Sequence, residues 1–142
     1  IYGTCINTYR KDSEDPFYVQ ALIMILKSTF HFFGMCFSIT LFYKLFQIDE
    51  ECFYRNENLQ HVHLGKNLEY IGERAFVHCI SLKSITCLAT NPPLLAKNVF
   101  KEGEFDDLGI TEKCILQVPE ESMELYRNAE GWKQFIINGI LI

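Results

Sequence analysis

Positive charge is in short supply. The chain carries 13 Lys and Arg against 18 Asp and Glu, for a net charge of -5 and a pI near 5.3. A nucleic-acid binder needs a basic face to displace counterions, so that class is excluded. No two cysteines stand in C-x-x-C spacing, which removes the strongest zinc and redox signatures. Absent too are G-x-S-x-G, H-E-x-x-H and a phosphate-binding glycine loop, so the chain does not read as an enzyme. Residues 17–46 hold no formal charge except Lys27 and Lys44. Their longest uncharged stretch, 28–43, is nevertheless 16 residues, where a bilayer span needs about 20. That run also begins too late for a secretory leader and lacks a small-residue cleavage site.

What the chain has is apolar surface. Of 142 residues, 49% are hydrophobic and 14% aromatic, enough for one real core and too much for a disordered chain. Charge is unevenly placed: residues 1–100 hold nine acids and nine bases, residues 101–142 nine acids and four bases.

A shift of 23 residues organises the chain. Ile25, Ile48 and Ile71 fall in register, as do Phe30, Phe53 and Phe76. Cys36, Leu59 and Leu82 follow, then Ile39, Val62 and Ile85, then Leu41, Leu64 and Cys87. In residues 59–64 and 82–87 apolar and polar positions alternate, the period of a half-buried strand. Val62 and Leu64 then point inward and His61 and His63 outward, with Ser38, Thr40, Ser84 and Thr86 at the matching outward places. A turn (Gly65, Lys66, Asn67), an apolar pair (Leu68, Ile71) and a tight helical or 3₁₀ turn to Phe76 complete a unit. One unit cannot close a core, but stacked units can, so the fold expected is a repeat solenoid.

Residues 68–95 resemble the repeat of the BspA-like leucine-rich-repeat proteins, L-x-x-I-G-x-x-A-F-x-x-C-x-x-L-x-x-I. Leu68, Ile71, Gly72, Ala75, Phe76, Cys79, Leu82 and Ile85 match it in order. The end is similar to the family's usual finish as well: Asn91-Pro92-Pro93, then Cys114, Leu116, Val118 and Pro119, then Ser122, Tyr126, Ala129, Gly131, Trp132 and Phe135. The resemblance implies a right-handed leucine-rich-repeat coil of short parallel strands joined by turns or 3₁₀ segments, closed by a C-terminal helical cap. It weakens over 25–47, where Leu26 replaces the Gly and Thr29 the Ala, and is absent from 1–24.

The expected organisation is an N-terminal capping segment (1–24), units 25–47, 48–70, 71–93 and 94–119, and a C-terminal cap (120–142). In the fourth unit Leu94 continues the Ile71 column and Val99-Phe100 the Phe76 column. Leu116 follows Ile85 by 31 residues, the surplus being an acidic insertion at 101–113. In the cap, Met123 and Tyr126 have helical spacing, Gly131 is a stop signal, and Trp132, Phe135 and Ile136 pack beneath.

The repeat also sorts the tempting sites. Cys36, Cys52, Cys79 and Cys87 take places held elsewhere by small or apolar residues and read as core fillers, while Cys5 lies outside the repeat. His61 and His63, two apart on one strand face, have a spacing that could hold a metal. Their neighbours are Ser and Thr, so the reading is a polar ladder, with no metal and no cofactor. The acids of the insertion, Glu102, Glu104, Asp106 and Asp107, match no calcium loop. Cys79 points inward, so His78 beside it makes no dyad.

The function expected is a non-catalytic protein-binding module whose face is lined by Ser38, Thr40, His61, His63, Ser84 and Thr86. The resemblance implies a bacterial cell-surface or secreted protein with protein partners, host extracellular proteins among them in an adhesive role. The alternative is a structural, self-associating module, a homodimer or a domain docked on another. Phe32, Met35, Phe37 and Phe46 stand where the next unit has Arg55, Asn58, Gln60 and Glu69, and a contiguous exposed apolar patch marks contact.

Overall fold

A computed structural model describes residues 6–7, 38–41, 46–101, 103 and 113–142. In chain order its strands are β1 (Ile6–Asn7), β2 (Ser38–Leu41), β3 (Gln47–Ile48), β4 (His61–Leu64), β5 (Tyr70–Ile71), β6 (Ser84–Cys87), β7 (Leu94–Leu95), β8 (Ile115–Pro119) and β9 (Ile136–Ile140). A 3₁₀ turn (Glu120–Ser122) and one short helix, α1 (Met123–Asn128), lie between the last two strands.

The strands stack as a β-solenoid of about four turns. One wall is a five-stranded sheet, β2-β4-β6-β8-β9, in which every neighbouring pair is parallel. The other wall is β1-β3-β5-β7, parallel except for β1, which runs antiparallel to β3 with Ile6 opposite Ile48. The register repeats the sequence columns: Ile39 pairs with Val62, Val62 with Ile85, and Ile85 with Leu116.

Between the walls lies the core. All eight positions that carry the family resemblance, Leu68 through Ile85, are buried. Phe53, Phe76 and Phe100 stack face to face with ring centroids 5.2 and 5.7 Å apart. Each coil thus hands its aromatic ring to the next, so no unit closes a core alone.

The returns take the turn form of the two expected: the segments through Phe53 and Phe76 are turns, with no 3₁₀ helix among these described residues. Glu51 and Arg55 have φ of 53° and 57°, and Arg74 and His78 have 57° and 60°. Two left-handed residues four apart break any helical run before it can propagate. Coil-to-coil bonds hold the turns instead. The N–H groups of Glu51, Phe53 and Arg55 donate to the carbonyls of Glu73, Ala75 and Val77 at 2.8–2.9 Å, and Phe76 N–H donates to Val99 at 2.9 Å.

The fourth coil corrects one column. Ile71 pairs with Leu95, not Leu94, and Leu94 is 73% exposed opposite the exposed Tyr70. The step there is 24 residues, and the same step places Phe100 on Phe76.

The C-terminal segment seals this end. Tyr126 donates its hydroxyl proton to the Ala89 carbonyl (2.8 Å), and the Trp132 indole N–H donates to the Pro93 carbonyl (2.7 Å). Trp132 and Phe135 meet Phe100 edge-on at 5.8 and 4.9 Å, ending the aromatic stack. Ile136, expected beneath the helix, is instead half exposed in β9. The helix stops at Asn128, ahead of Gly131, which lies in the turn beyond.

Candidate functional site

Because side chains alternate across a strand and register partners share a side, the five-stranded sheet turns two rows of residues outward. The first row runs Ser38, His61, Ser84, Ile115, Ile136, and the second Thr40, His63, Thr86, Gln117, Asn138. The inward residues between them, among them Val62, Ile85 and Leu116, are fully buried. The six residues expected to line the face therefore fall in two neighbouring rows. Ser38 and Thr40 do so by backbone register, and their side chains lie outside the described residues.

Cross-strand hydrogen bonds order the rows. His61 Nδ1 and Ser84 Oγ share a hydrogen bond of 2.8 Å, and Thr86 Oγ1 donates to Gln117 Oε1 at 2.9 Å. Along the start of the strands Lys83 Nζ donates to Gln60 Oε1 at 2.8 Å. His63 is exposed, whereas Thr86 is buried. A surface tied across its strands in this way loses little freedom when a ligand settles on it.

Four residues of the face were missed. Ile115 and Gln117 followed from the 31-residue step that aligns Leu116 with Ile85. Ile136 and Asn138 had no such signal, because β9 reads Ile-Ile-Asn-Gly-Ile without alternation.

The tempting chemistry elsewhere is buried. Cys52, Cys79, Cys87 and Cys114 are buried. Desolvation pushes the Cys79 and Cys114 thiols up to about 12, with backbone hydrogen bonds opposing it, and raises Cys87 as well. The Cys79 thiol donates to the Phe53 carbonyl at 3.2 Å, while the His78 ring meets Tyr54 edge-on at 5.7 Å. Among the described residues no three His, Cys, Asp or Glu side chains gather to hold an ion, and no helix is long and apolar enough to cross a membrane. Cys5, Cys36, most of the acidic insertion, and Phe32, Met35 and Phe37 of the apolar patch lie outside the described residues. Phe46 is half-buried, and its carbonyl accepts the Glu69 N–H at 2.8 Å.

A family model described as "BspA type Leucine rich repeat region (6 copies)" matches residues 19–115, more than half of the chain. No curated protein matches the chain.

Proposed function

Since the chain belongs to the BspA-type leucine-rich-repeat family, a family of protein-interaction modules that is generally non-catalytic, we propose that it binds a protein partner through the outward rows of its five-stranded sheet. The observation that carries this reading is the face itself. His61, His63, Ser84 and Thr86 take no part in closing the core, yet they stand in fixed register on a bonded sheet. The family's association with bacterial surface proteins supports a place at the cell surface or among secreted proteins, with host extracellular proteins as partners in adhesion.

The test is binding of the immobilised chain to separate panels of host extracellular-matrix proteins and bacterial surface proteins. Replacing His61 and His63 together with Asp is expected to weaken a captured partner by about tenfold or more. An unchanged affinity in the folded double variant would move the contact off this face.

A second reading is self-association through the first unit. Its support is the exchange of charged and polar residues for Phe32, Met35, Phe37 and Phe46. Light scattering over a wide concentration range decides it, since a constant monomer mass removes this reading and leaves the strand face untouched.

A further inference from the structure

We infer that the binding face continues through β8 and β9 and selects an uncharged protein segment anchored by an apolar side chain. This inference rests on the strand-face reading and adds its chemistry. Ile115 and Ile136 are register partners on adjacent strands, about 4.8 Å apart in the sheet. They are 37% and 51% exposed on the same side as His61 and Ser84. Beside them in the second row stand the amides of Gln117 and Asn138. The face thus changes along its length from hydroxyl and imidazole groups to an apolar pair flanked by amides.

Charge decides the partner class. The chain carries 31 Lys, Arg, Asp and Glu in all, yet none of them stands in either outward row. Within the two rows a charged group would lose hydration and meet no opposite charge in return, since Lys83 stands at their margin with its ammonium on Gln60. An apolar side chain set over Ile115 and Ile136 releases water from both partners. Gln117 keeps its amide N–H donors free of the bond that Thr86 makes to its oxygen, so the row still offers donors to a partner's carbonyls.

The anchor is also rigidly held. A Cβ at Gly139 would lie 2.6 Å from Met123 Sδ and 3.2 Å from Glu120 Cα, so the cap sits directly against the inner side of β9. Ile136 is therefore presented on a strand pinned from behind, paired in register with Ile115 of β8.

The experiment pans a displayed library of random dodecapeptides against the full chain, then measures the winning peptides by fluorescence anisotropy. Winners are expected to be poor in Asp, Glu, Lys and Arg and to carry an aliphatic or aromatic anchor. Their affinity should change by less than about threefold between roughly 0.05 and 0.5 M NaCl. Ile115→Asp and Ile136→Asp should each weaken binding by about tenfold, while Leu125→Asp on the exposed side of α1 changes it by less than about twofold. Ile136→Thr preserves strand propensity and should still weaken binding, covering the case in which an Asp variant fails to fold. Charged winners, steep salt dependence, or binding that needs His61 and His63 but ignores both isoleucines would overturn the inference and leave the strand-face reading standing. No winner, or winners indifferent to both pairs, would overturn the strand-face reading as well.

Discussion

Single residues show how tightly the coils are laid on one another. Gly72 is the clearest case. A Cβ there would stand 2.5 Å from Glu50 N and 2.6 Å from the Asp49 carbonyl carbon, backbone atoms with no flexible end to move aside. Gly72→Ala is expected to lower stability by about 1–3 kcal/mol, read as a shift in the urea midpoint. The buried thiols give a second prediction. A thiol whose folded pKa is raised holds its proton more firmly in the folded chain. Its contribution is complete below the ordinary value of 9.0 and disappears as pH rises through about 12 for Cys79 and Cys114. Stability should therefore fall as pH climbs above about 9, and Cys79→Ala should flatten part of that fall in urea titrations at stepped pH. At this scale the sequence was legible wherever one residue type recurs, as in the Phe53, Phe76 and Phe100 spine. Leu94 and Leu95 were not separable, because both are leucine and hydropathy offers nothing to choose between them. The one-residue lengthening of that step is fixed by the pairing of Tyr70 with Leu94 and Ile71 with Leu95.

Elements divide into those made by the period and those made by contact. β4 and β6 fall where alternation and the 23-residue shift put them, since a half-buried strand writes its period directly into the sequence. β9 does not: Ile136 and Ile137 are adjacent, and Gly139 faces Met123 and Glu120 of the cap, so close approach replaces alternation. The returns were hard to read for another reason. Their left-handed residues, Glu51, Arg55, Arg74, His78 and Asn98, are not glycines, so no conformational marker stood in the sequence. The candidate face was half legible in the same way, with its His, Ser and Thr positions set by the repeat and its β9 end hidden. The cap acts through few contacts of high value. Trp132 joins the Pro93 carbonyl to the rings of Phe100, Tyr126 and Phe135. Trp132→Ala is expected to cost about 3–5 kcal/mol, and Tyr126→Phe about 1 kcal/mol from the lost bond to Ala89, both measurable by thermal and urea unfolding.

At the scale of the whole molecule, stability is a sum of coils and the interfaces between them. The described coils meet through three parallel systems: the five-stranded ladder, the bonds between successive turns, and the stacked rings. Weakening the last interface at Trp132 should therefore loosen β8 and β9 before β4 and β6, and hydrogen exchange of the variant should show protection lost in that order. The stacking direction has a mechanical consequence too. Among the described residues the backbone bonds of the ladder and of the successive turns run from coil to coil, along the axis on which the coils are piled. Tension applied between the two ends of the pile loads those bonds in turn instead of together. The molecule should then yield like a zip, with one coil's length of chain released at each step and the lowest resistance at an end. A fibre probe or optical trap would record a staircase of such steps, whereas a single abrupt release would mean that the coils share load as one body.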